Sequence, residues 1–494
     1  MITGSEEPAG SSQSAHSSGE AGNDRGAKER RKENAVKDRR DESIPPPVSM
    51  GDRPGGEVHG RWLWVERCVW TERMLETLER GPKNGVWHSL IDKVYAERTL
   101  WAAWEKVQAN GGAGGVDHET IGVFARTAEK RIEELSRQLR ERRYVPQPVR
   151  RVMIPKPGTT QERPLGIPTV RDRVVQTALR MVLEPIFERD FARESFGFRP
   201  GRSGQQALAR VESLLAEGYT HVVDADLKSY FDTIPQAALV ARVKGKVVDG
   251  RILELVESFL QQGVMEEGKG WSPTDTGTPQ GGVISPLLAN VYLDALDWKL
   301  HLGGWELVRY ADDFVILCRT REQAEEVLQI VRHWCDEAGL QLHPQKTRLV
   351  DLGEPGGFDF LGYHFERTDR RWPREKSRNS LEHKLHRLTR RNCGENLAQL
   401  IGETLNPILR GWLNYFRRSS NAATFQSLDK YLRARLRAIL RKRRGGRGRS
   451  HGRDHQRWPN RYFAELGLLS LEQLWRSLNS SPLTGTLQLE SRMR

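Results

Sequence analysis

VRYADDFVIL, running from Val308 to Leu317, decides how this chain is read. Two short apolar runs, LVRY and FVILC, flank Ala311, Asp312 and Asp313, which is the pattern of a β-hairpin with its polar residues at the join. Two adjacent carboxylates at a tight turn repel each other and resist desolvation. A divalent cation relieves both difficulties, and hard oxygen donors suit Mg²⁺. Taken alone, an Asp-Asp pair at an exposed turn is more often simply hydrated.

A second acidic strand shifts that balance. In HVVDADLKSYFD (His221–Asp232), alternation with a period of two places Val222, Asp224 and Asp226 on one face. Two-metal nucleotidyl transfer needs a carboxylate on a neighbouring strand to hold two ions roughly 4 Å apart. Asp224 and Asp226 both qualify, and alternation does not choose between them.

Further motifs follow in a fixed order: KPGTTQERPLGIPTVRDRVVQ (Lys156–Gln176), SFGFRPGRS (Ser195–Ser203), DADLKSYFDTI (Asp224–Ile234), GTPQGGVISPLLANVYL (Gly277–Leu293), HPQKT (His343–Thr347) and FDFLGY (Phe358–Tyr363). With the hairpin, this series resembles the bacterial group II intron-encoded reverse transcriptases and maturases. The resemblance implies an α+β right-hand polymerase, with fingers and a mixed-sheet palm followed by an all-helical thumb. It also implies RNA-directed DNA synthesis with two Mg²⁺ ions. Asp226 then matches the first catalytic aspartate and Asp312 the second, with Asp313 as a third carboxylate and the Leu227 backbone carbonyl beside them on the metal. Phe231 matches the ring that crowds a ribose 2′-hydroxyl and so selects dNTPs. Gln280, Gly281 and Gly282 would lie beneath the incoming base, with Lys156 and Arg163 clamping the triphosphate and Lys346 lining the nucleotide site. Arg199 and Arg202 would meet template phosphates. The implied partners are intron RNA, an RNA template with its DNA primer, a DNA target and dNTPs. A splicing-only maturase and a domesticated enzyme of host defence stand as alternatives.

Charge supports a polyanionic partner. The 494 residues carry a net charge of +13, and Lys376 to Arg449 alone hold 19 Lys and Arg against four acids, a net of +15. The rest of the chain is therefore close to neutral, so the excess forms one block, the footprint of nucleic-acid binding. Within it, Trp412, Tyr415 and Phe416 neighbour Arg417 and Arg418. Downstream, Phe425, Leu428, Leu432, Leu436 and Ile439 recur at helical spacing, with Arg433, Arg435, Arg437 and Arg441 on the other face. These arginines are expected to track RNA phosphates.

The remaining composition bounds the rest. A 37% hydrophobic share and 14 tryptophans fit a globular protein with room for roughly two to four domains. No run of eighteen apolar residues predicts a membrane span, and MITGSEEPAG lacks the apolar core of a signal peptide. Four scattered cysteines without a C-x-x-C pair argue against a zinc ribbon or a disulfide framework, and the expected location is cytoplasmic. Residues 1–58 read as a disordered tail, 59–145 as a helical extension, 146–366 as fingers and palm, 367–444 as thumb, and 445–494 as a basic loop with a short tail. Asn110 to Gly115 reads as a flexible break. No cysteine follows Cys393, and His451 and His455 are not spaced as H-N-H, so no endonuclease site is expected.

Overall fold

The computed structural model describes residues 60–82, 85–155, 162–448 and 452–480. The predicted N-terminal tail, Lys156 and residues 481–494 lie outside them. The chain opens with helices α1 (Glu72–Arg80), α2 (Ile91–Tyr95), α3 (Glu97–Asn110), α4 (Ile121–Arg126) and α5 (Ala128–Arg140). Along α3, Leu100, Trp104 and Val107 are buried, but Trp101 faces outward. The glycine-rich stretch after α3 is tied down rather than loose. The Arg173 guanidinium donates to the carbonyls of Gly111 and Ala113.

Strands β1 (Val149–Pro155) and β2 (Glu162–Ile167) pair antiparallel and lead into α6 (Val170–Glu188), which is buried nearly all round. The Thr169 hydroxyl caps that helix by accepting from Asp172 N. A capping box between Ser203 and Gln206 starts α7 (Gly204–Ala216), which runs into β3 (His221–Asp226). There follow α8 (Tyr230–Thr233), α9 (Gln236–Lys244), α10 (Gly250–Gln261), β4 (Val264–Glu266), β5 (Gly270–Ser272) and α11 (Ser285–Leu302). One sheet has the order β2-β1-β4-β5, and its β1–β4 pairing is parallel.

The palm sheet adds β6 (Glu306–Tyr310), β7 (Asp313–Cys318), α12 (Arg321–Glu337) and β8 (Arg348–Asp351), in the order β6-β7-β3-β8 with every pairing antiparallel. Both its faces are buried, in different cores. Val223, Ala225, Leu307, Phe314 and Ile316 join the core shared with α6 and α11. Val222, Val308, Val315 and Leu317 join the core shared with α7 and the C-terminal helices. Because alternate residues share a face, Asp224, Asp226 and Asp313 belong to the second, thumb-facing side.

A small sheet of β9 (Phe358–Phe360), β10 (Tyr363–Glu366) and β11 (Arg370–Pro373) bridges to the helical thumb. The thumb contains α13 (Glu375–Leu388), a π-helical turn at Leu400–Leu405, α14 (Asn406–Phe416) and α15 (Ala423–Arg443). The predicted stripe on α15 is buried, from Phe425 to Ile439. Helices α16 (Gly452–Arg457), α17 (Asn460–Glu465) and α18 (Leu471–Ser480) fold back onto it, and Trp458, Phe463 and Leu471 enter the same core. Asp429, buried on α15, is the clasp. It accepts from Ser470 Oγ at 2.6 Å, Leu471 N at 3.0 Å and Glu472 N at 3.3 Å. Replacing Asp429 by Ala leaves those donors without their carboxylate and is expected to cost about 2–4 kcal/mol. Limited proteolysis should then cut the 466–470 link at least about tenfold faster than in the parent; equal rates would show that Asp429 does not hold the last helix.

Candidate active site

Register and turn geometry bring the acids together. Asp226 stands directly opposite Asp313 where β3 meets β7, and Asp312 occupies the turn before it. Ala311 makes that turn with φ +63°, a left-handed conformation uncommon outside glycine. Burial, then repulsion from Asp224, Asp312 and Asp226, pushes the Asp313 carboxyl up to about 7. Burial also raises Asp312, with Asp226 adding to the effect.

Two basic side chains stand against this charge. The HPQKT segment is pinned to β3 by His343 N, which donates to the Asp226 carbonyl at 2.7 Å, and Lys346 Nζ meets the Asp226 carboxylate. Arg348 Nε donates to Asp224 at 3.0 Å. Burial raises Asp224, and Arg348 partly offsets that. Asp224 thus has a guanidinium partner, whereas Asp226 lies opposite the hairpin acids. Leu227 continues beside it in an isolated bridge with Leu342.

Among the described residues, no three His, Cys, Asp or Glu side chains converge on one point, and the Asp226 carboxylate meets Lys346. The donor set nevertheless fits a hard divalent cation. The donors are carboxylates alone, and their crowding is what such an ion relieves. The ammonium of Lys346 already stands where positive charge is needed. Asp226, Asp312 and Asp313 are the residues that could hold the metal.

The residues expected on the nucleotide side include Phe231 on α8 and the GTPQGG loop packed against it. Helix α8 is anchored by Tyr230 Oη, which donates to Ala289 O at 2.7 Å, and by Thr278 N, which donates to Phe231 O at 2.7 Å. Phe198 lies edge-on to the Phe231 ring, with centroids 6.4 Å apart. The GTPQGG loop connects this helix to the fingers. Gly166 N donates to Gln280 O at 2.6 Å, and a Cβ on Gly281 would come 2.1 Å from Gly166 O. Only glycine permits that approach, so the loop packs flush on β2. Arg163 projects from β2 as an exposed cation.

Several expected phosphate contacts are instead internal. Arg199 is buried; its guanidinium forks onto Glu188 at 2.8 and 2.7 Å and donates to the carbonyls of Ala192 and Ser195. It cannot reach a template. Arg202 donates to Arg193 O, and its remaining surface lines an open pocket with Arg61 and Trp64. Arg437 is buried, donating to Trp458 O and Asn460 Oδ1. Arg435 donates to the carbonyls of His386 and Thr389, Arg441 pairs with Asp454, and Arg433 lies 4.0 Å from Asp429. Of these four arginines Arg437 is buried, while Arg433, Arg435 and Arg441 are half-buried at their contacts within the thumb. Arg418 pairs with Glu212, tying thumb to palm, while Arg417 remains exposed.

The exposed charge lies elsewhere. A groove of about 1020 Å³ runs from Asp313 between α13 and α14. Lys376, Ser380 and Lys384, four residues apart on α13, form one wall, and Ile408, Gly411, Trp412 and Tyr415 of α14 form the other. Leu361 and Gly362 floor its inner end, where Tyr415 Oη donates to Leu361 O at 2.8 Å. The sequence reading missed the α13 residues, although their spacing was visible inside the basic block.

Comparison with known proteins agrees with this layout. Residues 154–365 match the family described as reverse transcriptase (RNA-dependent DNA polymerase), and residues 378–458 match the group II intron, maturase-specific domain. Protein YkfC of Escherichia coli K12 is 34% identical over 313 residues, covering 54% of this chain and 81% of that protein. The group II intron-encoded protein LtrA of Lactococcus lactis is 38% identical over 230 residues, covering 44% of this chain and 37% of LtrA. An uncharacterized 91 kDa protein in the cob intron of Schizosaccharomyces pombe is 36% identical over 310 residues, covering 50% and 38%. The chain thus spans less than two fifths of the latter two, and four fifths of the first. With the carboxylate hairpin, the GTPQGG loop packed on β2 and both matched segments in sequence order, this chain belongs to the reverse transcriptase and maturase family encoded by group II introns, the RNA-directed DNA polymerases.

Proposed function

We propose that this chain copies an RNA template into DNA from a DNA primer, using dNTPs and two Mg²⁺ ions, and that it binds intron RNA to assist splicing and insertion into a DNA target. The observation that carries this reading is the position of Asp313 at the inner end of the groove between α13 and α14, with Asp226 directly opposite it on β3 and Asp312 in the turn before it. The substrates and the intron RNA would place its work in the cytoplasm.

Bound at these carboxylates, Mg²⁺ would acidify the primer hydroxyl and neutralise the triphosphate. The protein's own groups do the rest. Lys346 must leave Asp226 before that carboxylate can serve a metal, and its ammonium is then free for a phosphate nearby. The loop at Gln280 and Gly281 supports the base, and Arg163 faces the triphosphate; Lys156 would join it. Phe231 fills the space of a 2′-hydroxyl. The α13 wall offers cations and hydroxyls to backbone phosphates, while Trp412 and Tyr415 offer flat apolar surface to sugars. An A-form duplex is gripped in this way by shape and backbone.

Asp312→Asn should lower primer extension on RNA by about 10³-fold or more, since a carboxylate on the metal contributes several kcal/mol, while intron RNA binding stays near the parent value. Substantial extension by a folded variant would remove Asp312 from the chemistry.

Phe231→Ala should narrow the preference for dGTP over GTP by about tenfold or more, the worth of one steric contact. An unchanged ratio of incorporation rates would place the sugar gate elsewhere.

For the thumb, Lys376→Gln with Lys384→Gln should flatten the salt dependence of hybrid-duplex binding by roughly 0.7–0.9 in log–log slope per lost contact. Neutralising Arg435 and Arg437 should instead lower the melting temperature, because their partners are inside the protein. The opposite pattern, a changed slope only for the arginine pair, would move the duplex off the groove.

A further inference from the structure

The hairpin that carries Asp312 and Asp313 is held from behind by a buried charge. Arg309, the last residue but one of β6, is 0% exposed and lies on the sheet face opposite the carboxylates, with Leu307. Its guanidinium forks onto Asp297 of α11, with Nε donating to Oδ1 at 2.7 Å and Nη2 donating to Oδ2. Nη1 donates to Asn290 Oδ1 at 2.9 Å and to the carbonyl of Ala311 at 2.8 Å. Asn290 Nδ2 donates in turn to Gly197 O at 2.9 Å. Asp297 and Asn290 are as fully buried as Arg309.

The segment that receives the amide is itself stitched to the turn. Phe196 N donates to Arg309 O at 2.8 Å, and Arg309 N donates to Glu194 O at 3.0 Å. A Cβ on Gly197 would fall 2.2 Å from Ala311 N. The backbone that turns at Ala311 is therefore pressed by Gly197 on one side and held at its carbonyl by Arg309 on the other. An ion pair inside a core is weak support for folding as such, because apolar residues of the same volume pack there without desolvating a charge. It is a strong device where a fixed hydrogen bond must keep a non-glycine residue left-handed.

We propose that Arg309, Asp297 and Asn290 are positioning residues, which hold the Ala311 turn left-handed so that Asp312 presents its carboxylate to the metal. None of them touches substrate. The inference rests on Asp312 being a metal ligand, and it concerns how that ligand is aimed.

Two variants test it: Arg309→Lys, which keeps the charge but loses the fork, and Asn290→Ala, which removes one acceptor of Arg309 and the tether to Gly197. Mn²⁺ serves as the probe, titrated by electron paramagnetic resonance on the full chain without nucleic acid. Thermal melting is measured alongside, with Leu293→Ala of the same helix as a core control. The expected result is Mn²⁺ affinity weakened by about tenfold or more in both variants. The Mg²⁺ half-saturation of primer extension should rise in step, while Leu293→Ala lowers the melting temperature without moving either metal constant. Should Arg309→Lys not fold, Asn290→Ala alone decides. Unchanged Mn²⁺ affinity in folded Asn290→Ala, or an equal loss in Leu293→Ala, overturns the proposal. Asp312→Asn separates the two levels of the argument. If it binds Mn²⁺ like the parent, the ligand reading fails. If it loses Mn²⁺ while Asn290→Ala does not, only the positioning role fails.

Discussion

Everything in this molecule depends on the antiparallel register between β3 and β7. Asp226 opposes Asp313, and five further pairs run back to His221 and Cys318. Since both faces of the palm sheet are buried in different cores, a slip of one residue would send Val222 and Val315 into the wrong core and Asp226 with them. The cost of that slip is carried by apolar side chains along the whole strand. The acids, which repel each other, contribute nothing favourable to it. Hydrophobic alternation therefore holds together a cluster of charges that would otherwise separate.

The rest of the site is arranged around that cluster by backbone contacts. The loop at Gly281 lies against β2 and, through Thr278, against the helix of Phe231, so the β2 strand, the GTPQGG loop and α8 form one connected layer. On the other side, Arg374 N donates to Gly362 O at 2.9 Å, which fixes the start of α13 over the inner end of the groove. The thumb's positive charge divides into two populations. Arg435, Arg437 and Arg441 hold helices to one another, while Lys376, Lys384 and Arg417 face solvent.

Much of this was legible in the sequence. The hairpin, the acidic strand and the apolar stripe of α15 all follow from periodicity, because burial of alternate or helically spaced positions imposes it. Choosing Asp226 over Asp224 rested on the ordered motifs; both acids have a basic partner, Lys346 for Asp226 and Arg348 for Asp224, and Asp226 alone stands opposite Asp313. What stayed hidden was the partner of each cation. A charge count cannot reveal that Arg199 is matched by Glu188 or that Arg437 spends its donors on Trp458 O and Asn460. The glycine stretch after α3 looked loose because Arg173, which secures it, lies about sixty residues away.

The Asp429 clasp has a consequence for how the chain is made. Its carboxylate sits on α15, but the amides it caps lie 42 and 43 residues downstream. At ribosomal speeds of about 5–20 residues per second, roughly 2–8 s separate synthesis of the acceptor from that of its donors. Throughout that interval Phe425 and Leu428 lack the cover that Leu471 and Trp475 later provide, so the nascent thumb carries exposed apolar surface. The thumb-facing side of the palm sheet shares that core, so its cover too is completed by residues made later.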